Sequence, residues 1–238
     1  MNKTAIKICG ITNVPDALTT VQAGADFLGL IFVAASPRHI ELSEACNVAT
    51  AIRAEAKQPV KLVGVFQNHA PDEVRHIIQT ANLDLVQLHG QESPEYCRAM
   101  PVPVMKTIVL DTTLTETDLL HRIEQYQPSP ASNITALLVD LPKQAFTPAA
   151  NISIVSTPIP ASVIKRLRSI YWLAAGGLNP DNIKGAIQQF SPNGVDVASG
   201  VERLPGKKDP AQVQRFCDNV RTAQVNTESL GETPSCNH

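Results

Sequence analysis

Six short segments carry the residue types that could do chemistry: Lys7-Ile8-Cys9-Gly10-Ile11-Thr12-Asn13, Ser36-Pro37-Arg38, Gln87-Leu88-His89-Gly90, Leu137-Leu138-Val139-Asp140, Gly176-Gly177-Leu178-Asn179-Pro180 and Val195-Asp196-Val197-Ala198-Ser199-Gly200-Val201-Glu202. Cys9 closes an apolar run just before a turn glycine, where a thiol could serve as a base; a lone cysteine is otherwise a small buried apolar residue. Asp140 closes another apolar run and could be the partner acid, or a turn residue that satisfies backbone amides. An acid of this kind must be kept protonated by desolvation, while a thiol base must be drawn toward thiolate, so the two need opposite shifts. Gly176 with Gly177, and Ser199 with Gly200, form two turns that could hold phosphate, because glycine lets backbone amides approach an anion closely and a helix N-terminus favours negative charge. They could also be ordinary turns. The planar guanidinium of Arg38 suits a carboxylate gripped by two parallel hydrogen bonds, with a solvated loop charge as the alternative. His89 is a candidate substrate contact or a turn residue; no Cys or His stands at metal-ligand spacing from it. Lys207 and Lys208 are expected to be solvated.

Such residues need a scaffold that brings them to one place. Short β-rich runs at 5–9, 27–33, 61–66, 83–88, 104–108, 136–139, 171–174 and 194–197 alternate with segments of helical period, eight pairs in all. That alternation predicts a parallel sheet with crossover helices, and at this chain length a (β/α)8 barrel rather than an open sheet. Barrel sites assemble at the C-terminal ends of the strands, where Cys9, His89, Asp140, Gly176–Gly177 and Ser199–Gly200 all fall, and phosphate is commonly held after strands seven and eight. The domain is expected to cover 1–222, with 223–238 a frayed polar tail. The stretch 141–162 breaks the alternation: it contains Pro142, Pro148, Pro158 and Pro160, no glycine, and Lys143 as its only charge, and it reads as a long loop.

Composition narrows the classes of function. With 238 residues, 43% of them hydrophobic, the chain can bury one sizeable core. A net charge of -2 and 4% aromatic residues leave no basic stripe or stacking platform for nucleic acid, so the expected partner is a small molecule. Cys9, Cys46, Cys97, Cys217 and Cys236 are odd in number, widely spaced and without a Cys-x-x-Cys pair, which fits a reducing cytoplasm rather than a disulfide framework or a zinc site. The first strand-like run begins almost at once and no apolar stretch is long enough to span a bilayer, so a membrane or secretory role is not expected.

In their order along the chain, the segments resemble phosphoribosylanthranilate isomerase from residue 7 to about 222. The resemblance implies a (β/α)8 enzyme of tryptophan biosynthesis that uses no cofactor or metal and needs no protein partner. It would convert N-(5-phosphoribosyl)anthranilate to 1-(2-carboxyphenylamino)-1-deoxyribulose 5-phosphate by an Amadori rearrangement. On this resemblance Asp140 is the general acid that protonates the ribose ring oxygen, and Cys9 the base that takes the proton from ribose C2. Arg38 binds the anthranilate carboxylate, and the turns at Gly177 and Ser199–Gly200 bind the phosphate. The family usually follows its catalytic Asp with Gly-Gly-Thr/Ser-Gly and a Phe-Asp-Trp-like helix start; neither occurs here, and Ala198 stands where the family often has Ser. The proline-rich replacement is expected to close less well over substrate and lower kcat/KM. Two other readings stay open: a non-catalytic ligand-binding or regulatory barrel, and another sugar-phosphate isomerase resembling the histidine-pathway Amadori enzyme. That relative carries a carboxylate at the strand-one position and phosphate turns in both barrel halves; this chain has Cys9 and no comparable loop in its first half.

Overall fold

Eight parallel strands, β1 (Ala5–Cys9), β2 (Phe27–Ile31), β3 (Lys61–Phe66), β4 (Leu85–Leu88), β5 (Val104–Val109), β6 (Ile134–Asp140), β7 (Trp172–Ala175) and β8 (Gly194–Val197), pair in chain order, and β8 pairs with β1 to close the barrel. The computed structural model describes residues 3–56, 58–110, 113–140 and 159–229. Helices α1 (Val14–Gln22), α2 (Leu42–Glu55), α3 (Pro71–Thr80), α4 (Pro94–Arg98), α5 (Glu116–Gln125), α6 (Ala161–Leu167), α7 (Ile183–Phe190) and α8 (Pro210–Ser229) follow the strands in turn. The expected (β/α)8 architecture is the observed one, and the runs at 5–9, 61–66 and 194–197 match their strands at both ends.

Helix starts follow local chemistry. The Asn13 side chain accepts from the Asp16 amide at 2.9 Å and Pro15 occupies the first turn of α1, while Thr115 and Asp118 close a reciprocal capping box on α5. Each such cap is worth about 1 kcal/mol to the element it starts.

The period of two along a strand separates two layers. Ile6 and Ile8 of β1, Leu28 and Leu30 of β2, Leu137 and Val139 of β6, and Val195 and Val197 of β8 belong to the large apolar cluster that packs against the helices. Their alternates face the barrel interior, whose apolar floor is Met105, Ala136, Leu138, Leu173 and Ala175. Lys7 and Cys9, Gln87, Asp140 and Asp196 therefore point inward, and the four that end or nearly end their strands reach the mouth.

Helix α8 runs past the boundary expected at Thr222. Val213, Phe216, Cys217, Val220 and Ala223 are all buried and recur at helical spacing, so the apolar stripe carries the helix beyond residue 222. Residues 230–238 of the expected tail, and 141–158 of the proline-rich stretch, lie outside the described residues. Pro160 caps α6, so the expected loop has ended by Ala161. After β8 a 3-10 turn, Ser199–Val201, leads into a hairpin of β9 (Glu202–Leu204) and β10 (Lys207–Lys208) that the alternating pattern did not announce.

Candidate active site

A cavity of about 640 Å³ opens at the C-terminal ends of the strands, and Cys9, Arg38, His89, Asp140, Gly176, Gly177 and Ser199 all line it. Gly200, the remaining candidate, instead packs against the preceding turn: a Cβ there would overlap the Leu178 carbonyl and lie 2.9 Å from the Asn179 Cβ. The turns after β7 and β8 are thereby fitted to one another. Gly176 and Gly177 have φ of 90° and 57°, conformations that glycine adopts without steric cost. The Asn182 side chain donates to the Gly177 carbonyl at 3.0 Å, tying this turn to the start of α7.

Cys9 is buried at the end of β1, and its position depends on the neighbouring strand. A Cβ on Gly29, its register partner on β2, would stand 2.6 Å from Cys9 Sγ and 3.0 Å from its Cα. Gly29→Ala is expected to overpack this contact, costing about 1–3 kcal/mol in a denaturant titration. Burial, the largest influence, raises the Cys9 thiol above its ordinary range, and the Lys7 ammonium opposes it.

At the far side, Asp140 Oδ2 lies 3.6 Å from His89 Nε2. Burial lowers the His89 imidazole below its usual value, keeping the ring neutral. Gln87 Nε2 is 3.4 Å from His89 Nδ1 and donates to Thr107 Oγ1 at 3.1 Å. With Nδ1 accepting from the amide, the ring carries its proton on Nε2, facing Asp140.

Arg38 is held from one side. Its Nε is 2.9 Å from Glu202 Oε1 and its Nη2 2.7 Å from Glu202 Oε2, a two-pronged ion pair. A guanidinium has five N–H donors, so this pair leaves donors for a second anion. Burial works to raise the Glu202 carboxyl, but hydrogen bonds from Arg38 and Lys208 outweigh it and hold the group below its ordinary value.

Lys208 corrects the expectation of a solvated charge. It is 1% exposed, and its Nζ donates to the Cys9 carbonyl at 2.6 Å, the Ala198 carbonyl at 3.1 Å and Glu202 Oε1 at 2.8 Å. The β9–β10 hairpin returns it beneath the mouth, where it joins the ends of β1 and β8. Lys207, its neighbour, is exposed as expected.

A sequence model of the family described as N-(5'phosphoribosyl)anthranilate (PRA) isomerase matches residues 6–219. The chain belongs to this family. It is a PRA isomerase by that match and by the identity of its relatives, and its pathway is tryptophan biosynthesis. The N-(5'-phosphoribosyl)anthranilate isomerase of Trichlorobacter lovleyi is 40% identical over 218 residues, covering 92% of this chain and 98% of the relative. The crystal structure of the enzyme from Thermotoga maritima superposes with a TM-score of 0.74 at 32% identity, over 92% of this chain and 99% of that one. A PRA isomerase crystallised in complex with reduced 1-(o-carboxyphenylamino)-1-deoxyribulose 5-phosphate gives the same TM-score of 0.74 and 32% identity over 92% of this chain.

For an isomerase of this family, the inward charges Lys7 and Asp196 are the residues that sequence reading passed over. Lys7 stands two positions before Cys9, which in a strand places both side chains on one face. That signal was present in the motif itself, as was Glu202 at the end of the last segment. Lys208 carried no such signal, because a two-residue strand at a hairpin has no readable period. Among the described residues, no helix is long and apolar enough to cross a membrane.

Proposed function

We propose that this PRA isomerase works with Asp140 as general acid and Cys9 as base, on a substrate held between Arg38 and the paired turns after β7 and β8. The observation that carries the reading is that all these groups line one cavity, the acid and the thiol on β6 and β1 with the arginine and the glycine turns beside them. Asp140 gives its proton to the ribose ring oxygen, and the C1–O bond breaks to leave a Schiff base between C1 and the anthranilate nitrogen. Cys9 then takes the C2 proton; the C2–H electron pair forms the C1–C2 double bond and neutralises the iminium nitrogen. The enolamine tautomerises to the ketone, giving the 1-deoxyribulose product. His89, neutral and with Nε2 toward Asp140, would stabilise the carboxylate left after proton donation.

Arg38 orients this substrate by its carboxylate, and Glu202 fixes the guanidinium for that task. Arg38→Met is therefore expected to weaken binding of the carboxylate-bearing product analogue by about tenfold or more, since charge-assisted hydrogen bonds contribute about 1.5–3 kcal/mol. Affinity for ribose 5-phosphate, which lacks that carboxylate, should change little; calorimetry with both ligands checks this. An equal loss for the two would place Arg38 on the phosphate or in a structural role.

Purified protein mixed with N-(5'-phosphoribosyl)anthranilate tests the whole reading. Conversion to the carboxyphenylamino-deoxyribulose phosphate supports it. Tight binding of the product analogue without turnover at high enzyme concentration would turn the reading to a ligand-binding barrel.

A further inference from the structure

We propose that Lys7 and Asp196 form a buried charge pair that sets the protonation of Cys9, Lys7 drawing its proton off and Asp196 limiting that draw. The proposal rests on the reading of Cys9 as the base and deepens it, with Lys7 as a positioning residue that acts through the thiol.

Packing does not account for the pair. Lys7 is fully buried, its Nζ 2.9 Å from Asp196 Oδ1, and the two are register partners on β1 and β8. The interior around it is mostly apolar, with Met105, Ala136, Leu138, Leu173 and Ala175 clustered there and the hydrogen-bonded Gln87–Thr107 pair beside them. Exchanging a buried ion pair for apolar side chains is often neutral or stabilising, so such a pair is weak as a stabilising device. Its place is two residues before Cys9 on the same face of β1, directly below the thiol that lines the cavity.

The chemistry of that place is specific. Burial works to strip Lys7 of its proton, and its neighbours, the Asp196 carboxylate foremost, outweigh it, so Lys7 stays an ammonium. From beneath, the ammonium acts on Cys9 by charge and by a hydrogen bond that favours the thiolate, whereas the Asp196 carboxylate disfavours it. With both present the pair is neutral overall, and burial keeps the proton on the thiol. Removal of either partner leaves the other's charge acting on the thiol unopposed.

Other charged groups also stand around Cys9, and none of them pairs with Lys7 or Asp196. Lys208 of β10 approaches the Cys9 carbonyl and shares Glu202 with Arg38, so this cluster keeps a net positive charge that also favours the thiolate, and it is the same in all the variants of the test below. His89, after β4, is kept neutral by burial, and Asp140 of β6 pairs with it across the cavity. Lys106 of β5 is buried against Glu92, with its Nζ 2.9 Å from Oε2. From β2, β3 and β7 the cavity receives Ile31, Val65 and Ala175, which carry no charge.

The test is a titration of Cys9 itself, read from thiolate ultraviolet absorbance after subtraction of Cys9→Ala protein. In Lys7→Met the midpoint is expected to rise by at least about one pH unit, a tenfold loss of thiolate at a fixed pH below it. In Asp196→Asn it should fall by at least about as much, and the Lys7→Met/Asp196→Asn double variant should lie between the two. A shift in the same direction for both single variants, or no shift in either, overturns the proposal. If Lys7→Met does not fold, because it leaves Asp196 buried without its partner, Asp196→Asn decides alone: a downward shift supports the pairing, and no shift or an upward one overturns it. The titration reads the charge on Cys9 whether or not Cys9 is the base. A pH profile of kcat that fails to follow a shifted titration would therefore sink the base assignment and leave the charge pair standing.

Discussion

Cys9→Ala and Asp140→Asn are each expected to lower kcat by about 10²–10⁴-fold, with the fold and the affinity for the reduced product analogue kept. Neither side chain holds the barrel together. Cys9 is small, and its loss removes one sulfur from the edge of the cavity; Asp140 is partly exposed at the end of β6, so Asn keeps its size. Each residue loses a proton-transfer step that water in the cavity must then take over. The two variants should also differ in their pH behaviour. Burial holds the Cys9 thiol above its ordinary range, and parent turnover needs the thiolate and the protonated acid together, so the growing thiolate fraction raises parent kcat only while Asp140 keeps its proton; with the acid gone, the residual kcat of Asp140→Asn is expected to rise about tenfold per pH unit below the thiol midpoint. Cys9→Ala should show no such rise. Steady-state rates across pH check both points, and near-parental turnover in both variants would reject the acid–base assignment.

The barrel was legible in the sequence because its strands are buried on both faces and its helices on one. A run such as Lys61–Phe66 gives a continuous apolar signal, and the following segment changes to helical period; the two patterns mark successive layers. The candidate site was legible for a related reason. In this architecture function collects at strand ends, so a reader who has found the strands has also found Cys9, His89, Asp140 and both glycine turns. What stayed hidden was pairing across distance. Nothing in the order of residues says that Arg38 meets Glu202, since the contact joins the loop after β2 to the hairpin after β8. Lys208 looked solvated because charged residues near a Gly turn usually are, and only the closing of β8 onto β1 brings it under Cys9. Gly29 was read as strand, although the decisive fact is that its missing side chain makes room for Cys9 on the neighbouring strand. Local pattern reveals layers and ends; partners separated by most of the chain emerge from closure.

Gly177→Asp is expected to weaken the reduced product analogue by about 10³-fold or more, the second large effect. A phosphate monoester carries about -1.5 to -2 charge near neutrality. Each unit of that charge meets a carboxylate about 4 Å away with roughly 4 kcal/mol of repulsion at an effective dielectric of 20, and about 1.4 kcal/mol is a factor of ten. The backbone acts on stability rather than affinity. Gly177 has φ of 57°, where any side chain costs roughly 1–2 kcal/mol. Gly177→Ala bears that cost in the free and the bound protein alike, so its affinity should change little while the aspartate variant loses about 10³-fold or more. Salt separates the two further: raising ionic strength should recover part of the affinity of Gly177→Asp and leave Gly177→Ala where it was. Calorimetry on the three proteins at low and high salt checks the assignment. If alanine and aspartate show the same affinity at both ionic strengths, the carboxylate meets no phosphate charge, and the phosphate binds away from the turns after β7 and β8.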